Sequence, residues 1–136
     1  MPLRQARTRK TIIANLPCTL TWVFASGNAA RRTCHFDAKY GNPNRYLRDF
    51  ARIEAVLTKK YGQPERFIKR CAERHRDRLG VGLAMGCVSF LSIRRHAAGD
   101  IGHCICNEEF RGILHVVVCE TNRDDLMPGQ NEIREW

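Results

Sequence analysis

Asn44-Arg45-Tyr46-Leu47-Arg48-Asp49-Phe50-Ala51-Arg52-Ile53-Glu54-Ala55-Val56-Leu57-Thr58-Lys59-Lys60-Tyr61-Gly62-Gln63-Pro64 is the stretch whose reading decides the fold. At 100° per residue Tyr46, Leu47, Phe50, Ile53, Leu57 and Tyr61 fall within an arc of about 120°, a stripe that must face a core. The spacing therefore predicts a helix over residues 45–61, with Asn44 as its N-cap, Gly62 at its C-terminal cap and Pro64 beyond. The opposite face is just as ordered. Arg45, Arg48, Arg52 and Lys59 lie within about 60° of one another and form a basic ridge turned to solvent. Glu54 falls inside the apolar arc, where it either pairs with an arginine of a facing sheet or borders the core. The border position is favoured, because unpaired buried carboxylates are rare.

On the N-terminal side, Thr19-Leu20-Thr21-Trp22-Val23-Phe24-Ala25 alternates with period two, as a strand with one face on a core does. Ser26-Gly27-Asn28 is a turn signal, and residues 31–36 read as the returning strand of a hairpin. Residues 1–11 are a basic arm without periodicity, expected to be mobile. On the C-terminal side, Phe67, Ile68, Cys71, Ala72, His75 and Leu79 share a helical face, which predicts a second, arginine-rich helix over residues 65–79. Glycine-punctuated β-branched runs at 87–93, 101–106 and 113–119 then predict three sequential antiparallel strands. Residues 122–136 form an acidic, turn-rich tail. The expected architecture is one α+β domain over residues 12–121: an antiparallel sheet, built from the hairpin and a three-strand meander, with one or two amphipathic helices on one face.

A chain of 136 residues with 43% hydrophobic and 27% charged residues is globular in composition and of single-domain size. Its longest apolar run is far below the roughly 20 residues that span a bilayer. The net charge is +9 and uneven: residues 1–78 hold 18 basic against 6 acidic side chains, and residues 79–136 hold 5 against 8. Such a cationic pole attracts nucleic acid, acidic lipid or acidic protein alike. The bland alternative is a solvated arginine-rich surface.

Seven cysteines (18, 34, 71, 87, 104, 106 and 119) are an odd number without paired spacing, and most sit in apolar runs. Reduced thiols packing as small hydrophobes in a reducing, cytoplasmic compartment is the expectation. Arg4, Arg7, Arg9 and Lys10 ahead of residues 11–25 outline a secretory signal, but Asn15, Pro17, Thr19 and Thr21 interrupt its apolar part. His103, Cys104 and Cys106 with Cys34, His35 and Cys87 have zinc-type donors. Cys104 and Cys106, however, share one face of a strand at period two, where structural zinc takes wider spacing on turns; no metal is expected. A Cys-His nucleophile, Cys104 or Cys34 with His35, His103 or His115, would need a depressed thiol pKa and an orienting group. No phosphate-binding glycine pattern occurs, since Gly80-Val81-Gly82 and Gly86 do not fit one. No cofactor is expected.

The run 45–64, with its Tyr, Asp, Phe, Leu pair and closing Lys-Tyr-Gly-x-Pro, resembles the central helix of a family of small, functionally uncharacterised bacterial domains. The resemblance spans about 100 residues: a hairpin like residues 20–36, the helix, a Gly-rich entry into a strand like residues 80–90, and strands like residues 101–120. The family's N-terminal helical segment with a Pro-Trp-Gly-type motif is absent here, and the arginine-rich 65–78 stands where members carry Trp and acidic residues, as in a truncated or diverged copy. The family implies a fold and no catalytic residue. Because many members are exported or lipoprotein-like, it also implies a structural, envelope-associated accessory role.

The leading functional expectation is a non-enzymatic binding module. Its surface is Arg45, Arg48, Arg52 and Lys59, with Arg31, Arg32, Arg66, Arg70 and Arg74, engaging an acidic protein surface or, non-specifically, a nucleic-acid backbone. No interleaved aromatics or recognised nucleic-acid motif accompany these cations, so base readout is not expected. The alternative is the accessory domain with a merely solvated basic surface; a cysteine-dependent enzyme comes third.

Overall fold

The computed structural model describes residues 5–25, 28–96, 99–107 and 112–121. They form one seven-stranded antiparallel sheet in the order β1-β2-β3-β7-β6-β5-β4, with helices on one face. The strands are β1 (Gln5–Ile13), β2 (Leu16–Ala25), β3 (Asn28–Phe36), β4 (Arg66–Cys71), β5 (Val88–His96), β6 (Gly99–Cys106) and β7 (Leu114–Thr121). Two helices, α1 (Pro43–Tyr61) and α2 (Leu79–Ala84), lie between β3 and β5 in the chain, with the edge strand β4 separating them. The α+β class and the helix-on-sheet layering follow the expectation from the sequence. No described helix is long and apolar enough to cross a membrane.

α1 starts two residues earlier than the spacing predicts. Asn42, not Asn44, is the N-cap: its side-chain oxygen accepts from the Asn44 backbone N–H at 3.0 Å, and Pro43 fills the first helical position, where its fixed φ and missing N–H cost nothing. The helix ends as expected at Gly62, whose φ of 89° places it in the region that favours glycine. Its N–H bonds to the Thr58 carbonyl at 2.8 Å.

Two other elements differ from expectation. Residues 5–11 of the expected mobile arm 1–11 instead form β1 together with residues 12 and 13 and pair with β2 along the whole strand, and Thr11 and Ile13 turn to the helix-covered face. The second arginine-rich helix does not exist. Residues 66–71 are β4, followed by a single 3₁₀ turn at Glu73–His75. Here the ladder with β5, six residues long, outweighs a helical apolar pattern that was itself short. In a strand Phe67 and Lys69 turn toward α1 while Arg66, Ile68 and Arg70 turn away. The hairpin turn at 26–27 and the tail 122–136 lie outside the described residues.

The core between helix and sheet has two parts. One gathers Ile53 and Leu57 of α1 with Leu20, Cys34, Val117 and Cys119; the other gathers Tyr46 and Phe50 with Leu83, Val88, Phe90 and Ile105. α2 seals the second part by a close approach: a methyl added at Gly82 would collide with the side chains of Val88 and His75. Gly82→Ala should therefore lower stability by about 1–3 kcal/mol, the usual cost of overpacking, seen as a lower urea midpoint at unchanged slope.

Candidate functional site: a clamped carboxylate, an apolar groove and a basic ridge

Beneath α1 the sheet presents polar side chains where a core would ordinarily be apolar. Ser92 and Arg94 of β5, His103 of β6 and His115 of β7 all point to the helix-covered face and are buried. They converge on Glu54. Ser92 Oγ donates to Glu54 Oε2 at 2.6 Å, and Arg94 forks onto both carboxylate oxygens at 3.1 and 3.2 Å. His103 Nδ1 lies 2.6 Å from Oε2.

Arg94, 1% exposed, spends all five of its N–H groups. Besides two on Glu54, they reach Ser92 Oγ at 3.0 Å, Thr58 Oγ1 at 2.9 Å and the Gly62 carbonyl at 2.9 Å. The guanidinium thus ties the middle, last turn and cap of α1 to β5. Of the two readings of Glu54, pairing with a sheet arginine is the one the structure realises, although the border position was favoured; its side chain keeps 17% exposure.

Behind the carboxylate stands a chain of imidazoles. His103 Nε2 and His115 Nε2 are 2.7 Å apart, so one must donate to the other. With both rings neutral, His115 Nε2–H donates to His103 and His103 Nδ1–H donates to Glu54. Phe50 stacks on His103 at 4.0 Å and Phe36 on His115 at 4.3 Å, which keeps the chain dry.

Burial alone would raise the Glu54 pKa. The hydrogen bonds from His103, Arg94 and Ser92 together overcome it and hold the pKa at about 2. Burial pushes both histidines down, that of His115 to about 3 with His103 beside it adding to the effect. This is the electrostatics of a clamp: Oε2 already takes three donors and Oε1 one, leaving no poised base. The two histidines and Glu54 form a line and do not converge on a point. Among the described residues no group of three or more His, Cys, Asp or Glu could hold a metal.

The groove runs beside this clamp. Leu47, Ala51, Glu54, Ala55 and Thr58 of α1 form one wall, Phe67 and Phe90 the floor and far side, and the cavity volume is about 640 Å³. On the helical wheel the basic ridge adjoins that wall directly, since Arg48 and Lys59 follow Ala55 at about 20–40°. Arg45, Arg48, Arg52 and Lys59 are all exposed along roughly 21 Å of α1. Arg45 stacks on the Tyr40 ring at 4.3 Å. For Arg48, Arg52 and Lys59 no carboxylate among the described residues lies within ion-pair distance.

The remaining expected cations do not join this row. Arg32 is 8% exposed and faces the helix-covered core side opposite Trp22 and Cys119. Arg31, on the other face of the sheet, pairs with Glu120 at 2.9 Å. Arg66 and Arg70 sit on the edge strand facing away from α1, where charge discourages edge-to-edge pairing. Arg74 lies in the 3₁₀ turn beside Cys87.

Among the expected cysteine-histidine pairs, His103 and Cys104 turn to opposite faces of β6. The Cys34 thiol is fully buried, and its hydrogen bond with Cys18, together with burial, pushes its pKa up, opposite to what a nucleophile needs.

Arg94, Ser92 and His115 are the residues sequence reasoning missed as a set. Continuing the period-two pattern one step past Ile93 would have placed Phe90, Ser92 and Arg94 on one face, opposite Glu54. No family model, no curated protein and no solved structure matches the chain.

Proposed function

We propose that the protein is a non-enzymatic binding module that engages an anionic partner through the outer face of α1. The observation that carries this reading is the row of Arg45, Arg48, Arg52 and Lys59, exposed on one rigid element whose inner face is fixed by the Glu54–Arg94 clamp. Rigid placement matters, because a partner that meets preset cations avoids the ordering cost of collecting them. An acidic polypeptide is favoured over nucleic acid: the row is single and carries no aromatics for stacking bases, and an apolar groove adjoins it.

The test is the affinity for heparin as a model polyanion, followed against salt. Replacing all four cations by Gln should weaken binding roughly thirtyfold, from about 0.5 kcal/mol per exposed pair, and flatten the salt dependence. Equal affinity and slope in the variant would leave the basic surface as mere solvation, the role of an accessory domain.

A further inference from the structure

A seven-stranded sheet is roughly 29 Å wide at the usual strand spacing, whereas one helix is about 10–12 Å across. α1 and the short α2 therefore cannot cover the helical face, and among the described residues nothing fills the strip over β5 and β4 beside α1. Phe67 is 51% exposed there, although it packs against Phe90. This strip is the groove of about 640 Å³ between α1 and Phe67.

We infer that this groove takes an acidic amphipathic helix from another polypeptide, which lies alongside α1 and completes the helical layer. The inference rests on the reading of the α1 ridge as a docking surface and names the partner's shape and chemistry. Three observations argue for this occupant. The wall from Leu47 to Thr58 is about 17 Å long, three helical turns, and its outward positions Ala51 and Ala55 are small enough for a close helix neighbour. Apart from Gln63, Thr58, which accepts from Arg94, and Glu54, whose charge Arg94 already balances, the lining is apolar, so the occupant's inner stripe should be apolar. The rims are cationic on both sides, Arg48 and Lys59 along α1 and Lys69 on β4, so acidic flanks fit and a second copy of the basic α1 does not.

The test uses a labelled 16-residue lactam-bridged helix with leucines at i, i+4, i+7 and i+11 and glutamates on both flanks, alongside a scrambled peptide of equal composition. Fluorescence anisotropy should show binding at least tenfold tighter for the patterned helix than for the scrambled one. Ala51→Trp, at an exposed position, fills the groove and should weaken binding at least tenfold; Phe67→Ser removes the floor and should do the same, with heparin affinity unchanged in both. Equal binding of both peptides, or patterned-helix binding unaffected by the two variants, would overturn the groove assignment. In either case, heparin binding that still depends on the ridge would leave the proposed function standing. Loss of ridge-dependent heparin binding in the wild-type protein would instead remove that reading itself.

Discussion

Glu54→Leu should destabilise the protein by about 3–5 kcal/mol, a large part of the 5–15 kcal/mol that ordinary domains possess. The reason is what it leaves behind. Arg94 would remain buried with two of its five N–H groups and its whole charge uncompensated, and Ser92 and His103 would each lose an acceptor. Removing the charge as well changes the sign of the second step. In a Glu54→Leu background, Arg94→Met should restore about 1–3 kcal/mol, because an apolar pair of similar volume avoids the desolvation cost of a buried ion pair. Chemical denaturation of the wild type, both single variants and the double variant gives the coupling directly. Additive losses would mean that the two residues stabilise the fold independently and that α1 is not clamped through them.

The second large effect is acid sensitivity that begins well above the carboxylate range. His103 and His115 are neutral in the fold, with pKa values below their unfolded value near 6.5. The unfolded chain therefore binds more protons below that pH, and stability falls as pH drops, reaching its floor for His115 near pH 3. Each such histidine contributes a slope of about 1.4 kcal/mol per pH unit inside its window. Glu54 adds to the loss further down: its depressed pKa gives stability that is complete above about 4.5 and disappears as pH falls toward about 2. Urea midpoints at pH 7, 6, 5 and 4 should decline steeply. His115→Phe should start about 1 kcal/mol lower at pH 7, since His103 loses a donor, and should then decline with roughly one proton less slope. An identical slope would show that His115 titrates in the fold as it does in the unfolded chain.

The sequence made α1 legible because one strong 3.6-residue period ran from Tyr46 to Tyr61 between an asparagine cap and a glycine stop. Strand β2 was legible from its period-two alternation, β3 from the turn signal ahead of it, and β5, β6 and β7 from glycine-punctuated, β-branched runs. β4 was not, since Arg66-Phe67-Ile68-Lys69-Arg70-Cys71 satisfies a helical face about as well as a strand. Only the long-range ladder with β5, invisible to local periodicity, decides between them. β1 was missed for a related reason. As an edge strand it keeps charges, Arg7, Arg9 and Lys10, that blunt its free side, and those charges masked its pattern.

The ridge was visible because it depends on one element alone. The clamp depends on four elements, and only the registers that align Ser92 with His103 and His103 with Val117, beside His115, bring its parts under Glu54. The groove was hidden for the same reason: residues 66–71 form a strand where a second helix was expected, and among the described residues no long helix other than α1 lies on that face.

A titration of ¹⁵N-labelled protein with heparin-derived oligosaccharide, followed by amide shifts, examines the central claim at its source. Docking on the outer face of α1 should confine the shifts to residues 45–59 and their immediate neighbours, with saturation at one site. Shifts centred on Arg31, Arg66 and Arg70 across the opposite face of the sheet, or spread evenly over every exposed cation, would contradict it.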